Sequence, residues 1–71
     1  MITVENIENW FTYHSPTPED QVGYVAIRTA AKILAETIIK HTPPSADQSA
    51  SIRLLRESVM TANASIACKG S

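Results

Sequence analysis

The chain has 71 residues, a single cysteine and a net charge of −1, from six basic and seven acidic residues. A chain of this length forms one small domain with a limited core, and the lone cysteine, Cys68, excludes an intrachain disulfide. Proteins that bind long DNA or RNA usually carry a basic excess, so long nucleic acid is a poor candidate partner, whereas two or three cations in one pocket suffice for a small anion.

The N-terminal segment predicts a short helix over residues 3–12. Thr3 can cap this helix, and apolar residues recur within it at helical spacing, at Val4, Ile7 and Phe11. Residues 13–17 are expected to form a loop.

Residues 18–41 predict the first long helix. Thr17 is a favourable N-cap, and Pro18 suits the first helical position. The proline pair that begins at Pro43 cannot continue the helix. Its apolar residues step by three and four along one face, at Tyr24, Ile27, Ala31, Leu34 and Ile38.

Residues 46–67 predict the second long helix. Ser45 and Gln48 have the spacing of a capping box at its start. Apolar residues again step by three and four, at Ile52, Leu55, Val59, Ala62 and Ile66. The tail over residues 69–71 is expected to be loose.

These elements predict an all-α fold with one domain over residues 1–71, a short N-terminal helix followed by a long antiparallel helical hairpin. Two facing helices bury one stripe each, so the apolar residues off the stripes are expected to contact other subunits, namely Val22, Val25, Ile33, Ile39, Leu54 and Met60. No signal peptide or membrane-spanning helix is recognised, and a free cysteine fits a reducing compartment. We therefore expect a cytosolic protein with no membrane partner.

Two groups of side chains can form binding surfaces. Tyr24, Arg28 and Lys32 lie four residues apart on one helix side, where they form either a phosphate-binding strip or a solvated face beside a core tyrosine. In the preceding loop, Tyr13 can stack on a base, and His14 can either donate to a phosphate or fix the loop. Alternatively, both rings pack the helix start.

A second row on the last helix comprises Arg53, Arg56, Met60 and Asn63. Arginine offers a planar fork to phosphate and asparagine can read a base edge. The ordinary alternative is that Arg53 pairs with Glu57 and that Asn63 forms a hydrogen bond across a helix interface. With no Gly-rich phosphate loop, no nucleophile at a motif spacing and no plausible zinc ligand set, we expect neither an enzyme nor a metal or cofactor site.

Three blocks together resemble a family of small phage proteins that counter the CBASS defence by sequestering its cyclic oligonucleotide signals. This family shares a hairpin domain with a group of anti-Thoeris sponges. The blocks are residues 11–16 (FTYHSP), 26–32 (AIRTAAK) and 55–67 (LRESVMTANASIA).

The resemblance implies a homohexamer in the host cell cytoplasm that holds cyclic dinucleotides between subunits without cutting them. Some members have a separate site for cyclic trinucleotides. In the family, a tyrosine stacks on a base and a basic residue fifteen positions later holds phosphate, and Tyr13 and Arg28 have that spacing here. Arg28 stands where other members have lysine. Arg56 and Asn63 are carried over to a second site less directly, because the last helix does not align unambiguously.

Two other hypotheses remain open from the sequence. The first is a sponge for a cyclic ADP-ribose-type Thoeris signal, which also carries phosphates and a base. The second is a structural helical-hairpin module that binds a partner protein through its leftover apolar surface.

Overall fold

A computed structural model describes residues 1–70 and contains three α-helices within them: α1 (Val4–Trp10), α2 (Pro18–His41) and α3 (Ala46–Ala67). No strand is present in these residues, so the all-helical prediction is confirmed, and both long helices have the predicted bounds. The prediction of a helix over residues 3–12 was too long. Thr3 is an extended N-cap with φ −111° and ψ 168°, and Phe11 leaves the helix with ψ 12°.

Side-chain caps explain where the helices begin. The hydroxyl oxygens of Thr3 and Thr17 accept from the backbone N–H groups of Asn6 and Asp20, and those two side chains accept in return from the cap N–H groups. Each reciprocal pair satisfies backbone donors that have no partner within the helix. The residues at these positions therefore determine where α1 and α2 begin, through contacts within one helical turn.

The predicted capping box at the start of α3 is only half formed. The Ser45 hydroxyl accepts from the backbone N–H of Gln48 at 3.1 Å. The Gln48 side-chain amide does not return to Ser45 but donates to the carbonyl oxygen and the hydroxyl of Thr42, at 3.1 and 3.0 Å. Because Thr42 is the C-cap of α2, this amide joins the end of one long helix to the start of the next.

Helices α2 and α3 pack against each other as a hairpin. The linker between His41 and Ala46 is short, so residues at equal distances from it lie opposite each other. At the open end the Ile66 side chain approaches Gly23 closely, since a Cβ on Gly23 would lie 3.2 Å from the Cδ1 atom of Ile66. A glycine at this position allows that approach without displacing the isoleucine.

The segment after α3 is held to the rest of the chain. The Asn9 side-chain amide donates to the carbonyl oxygen of Cys68 at 3.1 Å, which joins α1 to the end of α3. Lys69 and Gly70 take positive φ angles of 57° and 82°, and the Gly70 N–H donates to the Ser65 carbonyl oxygen at 2.9 Å. The expectation of a loose tail is therefore wrong for these two residues, and Ser71 lies outside the described residues.

An ion pair closes the open end of the hairpin. The Lys69 ammonium lies 2.8 Å from a carboxylate oxygen of Asp20, at the N-terminus of α2. The hydrogen bond from Lys69, followed by that from the Thr17 backbone, lowers the pKa of Asp20 below its ordinary value of 3.8. A lowered folded-state pKa adds stability above pH 3.8, and this contribution is lost as the pH falls through the folded-state value.

We expect Lys69→Gln to reduce the loss of unfolding free energy as the pH falls below about 4, because the pKa of Asp20 then moves towards its value in the unfolded chain. Urea unfolding followed by circular dichroism between pH 2.5 and 6 measures this effect. Lys40→Gln, at an exposed lysine on α2, is the matched control and should retain the wild-type profile. Identical acid profiles for wild type and Lys69→Gln would contradict the assignment.

The single chain leaves much of its apolar surface in contact with solvent. Cys68 is the one buried hydrophobic residue of the described chain, whereas many large apolar side chains are exposed, among them Val22 (70%), Ile33 (60%), Leu54 (64%) and Met60 (64%). The accessible surface of 5,725 Å² exceeds the value of about 4,300 Å² typical of a folded monomer of this mass. The radius of gyration, 15.1 Å, likewise exceeds the value of about 11 Å expected for a compact chain of this length.

Candidate ligand-binding groove

A groove of about 360 Å³ runs between the two long helices. We call it the α2–α3 groove, and it lies about midway along the hairpin. It is lined by Arg28, Ala31, Lys32 and Ala35 from α2 and by Ile52, Leu55, Arg56, Val59 and Met60 from α3. Part of each predicted row therefore lines a single groove, Arg28 and Lys32 from α2 and Arg56 and Met60 from α3.

Helical spacing and the hairpin register place these side chains. Arg28 and Lys32 are one turn apart on α2, so they lie on the same side of that helix. Arg28 lies 13 residues before the end of α2 at His41, and Val59 lies 13 residues after the start of α3 at Ala46, so the two are opposite each other. Small alanines in the same part of α2 leave space between the long basic side chains.

The groove combines an apolar floor with a positive rim. Its lining includes three cations, Arg28, Lys32 and Arg56, and no carboxylate. Within residues 1–70 the observed ion pair joins Lys69 to Asp20. None of the three groove cations forms an ion pair with an acidic side chain in these residues. All three are exposed, so their aliphatic stems can cover apolar surface while their charged ends reach a ligand.

A second groove, of about 430 Å³, adjoins the first on α3. It is lined by Ala50, Arg53, Leu54, Arg56, Glu57 and Met60, so Arg56 and Met60 border both grooves. Arg53 lies only in this second groove, where a carboxylate is also present. The alternative in which Arg53 pairs with Glu57 is not observed, since no ion pair joins them in the described chain.

The remaining residues of the two predicted rows lie outside the α2–α3 groove. Tyr24 precedes Arg28 by one turn and is half-buried. Asn63 is also half-buried, and its Oδ1 atom is buried without a hydrogen-bond partner in the described residues. The expected hydrogen bond across the helix interface is therefore absent at this oxygen.

Tyr13 and His14 lie in the loop between α1 and α2, outside the α2–α3 groove. The Tyr13 side chain is 83% exposed, so its ring is available for contact. The Nε2 atom of His14 donates to the carbonyl oxygen of Asn9 at 2.6 Å, which fixes the loop to α1. Of the two roles left open for His14, the structure shows the loop contact, and His14 lies in a shallow depression beside Glu5, Glu8 and Thr12.

Tyr13 and Arg28 do not line a common groove within one chain. Tyr13 precedes α2, whereas Arg28 lies ten residues after the first residue of that helix, about 15 Å along its axis. Within one chain, therefore, the α2–α3 groove includes Arg28 and does not include Tyr13.

Sequence reasoning did not identify that Arg56 lines the same groove as Arg28, or that Ala31 and Ala35 form part of the floor. The available signal was the short linker, because counting equal distances from it places residue 56 opposite residue 31. The two rows were instead interpreted as separate surfaces, since each was read along its own helix.

Three further findings concern metal ions, membrane spans and similarity to other proteins. Among residues 1–70 no cluster of three or more histidine, cysteine or acidic side chains could hold a metal ion. In the same residues no helix combines the length and apolar character required to cross a bilayer. Comparisons with protein-family models, curated proteins and solved structures gave no match to this chain.

Proposed function

We propose that this chain is a phage immune-evasion protein that binds and sequesters cyclic oligonucleotide second messengers without cleaving them, and so blocks CBASS signalling. Cyclic dinucleotides such as cGAMP are the first ligand class, and cyclic trinucleotides are the second. The observation that carries the proposal is the α2–α3 groove, in which three cations surround an apolar floor.

This chemistry suits a ligand that is both anionic and aromatic. Phosphates interact with the arginine forks and the lysine ammonium, and the flat faces of the bases pack on aliphatic side chains and on the adaptable thioether of Met60. The lining contains no carboxylate, histidine, serine or cysteine. Its residues are therefore suited to holding a phosphodiester rather than to activating a nucleophile against it.

We further propose that the complete site lies between two chains. The groove volume is at the low end of the range for small-molecule pockets, about 300–1,000 Å³, and one side is open to solvent. The exposed Tyr13 ring of a second chain would cover a base bound there. A two-fold axis would then supply two tyrosines and two arginines to a ligand that has two bases and two phosphates.

The assembly proposed is a homo-oligomer, and the family resemblance favours a hexamer. Extensive exposed apolar surface and an extended single-chain shape support association. The side chains predicted from the sequence to face other subunits include Val22, Val25, Ile33 and Leu54, and all four are at least 50% exposed.

Isothermal titration calorimetry against a panel of cyclic di- and trinucleotides tests the function. We expect submicromolar binding of at least one member, and intact ligand should be recovered after the protein is denatured. Absence of binding at micromolar concentrations to every member would refute the proposal. Recovery of a linear product instead would indicate a nuclease.

The same titrations separate the proposal from its alternatives. A cyclic ADP-ribose-type ligand that displaces all cyclic oligonucleotides at lower concentration would favour the Thoeris sponge. The exposed apolar surface also supports a helical-hairpin module that binds a partner protein. That alternative predicts that Tyr13→Ala and Arg28→Ala leave function intact, whereas changes in the apolar surface abolish it.

A further inference from the structure

The positions of the three groove cations bear on how many anion sites the chain carries. Read along the helices, Arg28 and Lys32 belong to one row and Arg56 to another, and the two rows could serve two ligands. In the folded chain all three line the α2–α3 groove, and Arg53, the neighbour of Arg56 on α3, does not.

We infer that Arg56 acts together with Arg28 and Lys32 in one anion site, formed across the two helices of a single chain, and that this site takes a group with at least two phosphate charges. This inference rests on the proposed function in assigning phosphate as the ligand chemistry, but it does not depend on the ligand being a cyclic nucleotide.

Electrostatics favours one multivalent anion over separate monovalent ones. Three like charges around one groove repel each other, and no carboxylate of the lining offsets them. An anion with two or more charges would interact with every groove cation that lies within about 10 Å of it, since exposed charges at such distances are incompletely screened at moderate salt. The two arginines can also each present a planar fork from opposite helices.

Arg53 provides an internal control for this inference. It has the same side chain, lies on the same helix within one turn of Arg56 and is likewise exposed. It lines only the adjoining groove, which also contains Glu57. Any effect of general positive charge would be shared by Arg53 and Arg56, whereas an effect of the α2–α3 groove would be specific to Arg56.

Calorimetric titration with inorganic pyrophosphate at constant ionic strength tests the inference with Arg28→Gln, Arg56→Gln and Arg53→Gln. We expect the first two changes each to weaken binding by roughly tenfold, as for the loss of one hydrogen bond to a charged group. Arg53→Gln should remain within about twofold of wild type. Circular dichroism establishes that each variant is folded.

If the rows formed independent sites, Arg28→Gln would keep a site of wild-type affinity at Arg56. That result would overturn the inference, as would wild-type affinity in Arg56→Gln or no pyrophosphate binding by the wild-type protein. Parallel titrations with cyclic dinucleotides separate this failure from failure of the proposed function. If pyrophosphate binds with the expected effects of the three variants and cyclic dinucleotides do not bind, the proposed function is wrong and the three-cation site stands. If cyclic dinucleotides bind and Arg56→Gln changes the affinity for neither ligand, the three-cation site is wrong and the proposed function stands.

Discussion

Arg28→Ala is expected to weaken cyclic dinucleotide binding by at least a hundredfold. Each hydrogen bond between a charged donor and an acceptor contributes about 1.5–3 kcal/mol, and a two-fold site loses two arginines at once. Titration calorimetry of the variant measures the loss. Arg28→Lys should retain part of the affinity, because it keeps the positive charge and loses the planar fork. Lys40→Ala is the control for loss of positive charge outside the groove.

Mixing two defective variants tests whether Tyr13 and Arg28 act across chains. Tyr13→Ala should also bind weakly, since base stacking on an aromatic ring contributes about 1–3 kcal/mol. In a mixed oligomer, one chain still supplies Tyr13 and the other still supplies Arg28, so one complete pair forms at a two-fold site. We expect the unfolded and co-refolded mixture to regain partial affinity. No gain over either variant alone would contradict a site shared between chains.

Charge placed on the exposed apolar surface is expected to dissociate the proposed oligomer. Ile33→Glu combined with Leu54→Glu removes two large apolar side chains, which are 60% and 64% exposed in the single chain. Burying each such residue stabilises an interface by about 1.5–3 kcal/mol, and an unpaired buried carboxylate adds a further penalty. Native mass spectrometry and sedimentation at micromolar concentration should show smaller species than the wild type.

Ser49→Glu is the matched control for this double variant, since it adds a carboxylate at an exposed polar position of α3. Ser49 is five residues before Leu54, so it lies on a different side of the helix. Ser49→Glu should leave the subunit number unchanged. Ligand affinity should fall with dissociation in the double variant, because the proposed site requires two chains. A wild-type protein that remains monomeric at all accessible concentrations would refute both the assembly and the shared site.

Most of the secondary structure could be predicted because its signals are local. Thr17, Pro18 and Ser45 act within one turn of the helix starts, and the prolines at 43 and 44 stop α2. The length of α1 was overestimated, since the apolar Phe11 fits helical spacing although its backbone has already left the helix. The spacing of apolar residues indicates which face of a helix a residue would occupy, but it does not indicate at which residue the helix ends.

The candidate site was predicted only in part. Arg28 and Lys32 were chosen from their four-residue spacing, and this spacing does place both on one groove. Tyr13 was paired with Arg28 by resemblance, and in the single chain Tyr13 does not line the groove that includes Arg28. His14 donates a hydrogen bond to the carbonyl oxygen of Asn9 and so fixes the loop. The sequence around His14 does not indicate where this carbonyl oxygen lies.

The sequence by itself determined three helices, their N-cap residues and the sides on which the basic residues lie, because these depend on neighbours three or four positions away. Only the tertiary structure decided that Arg56 shares a groove with Arg28 and Lys32, that Gln48 bridges the turn, and that Lys69 closes the open end on Asp20. These contacts join residues distant along the chain, and they form only once the hairpin register brings the two long helices side by side.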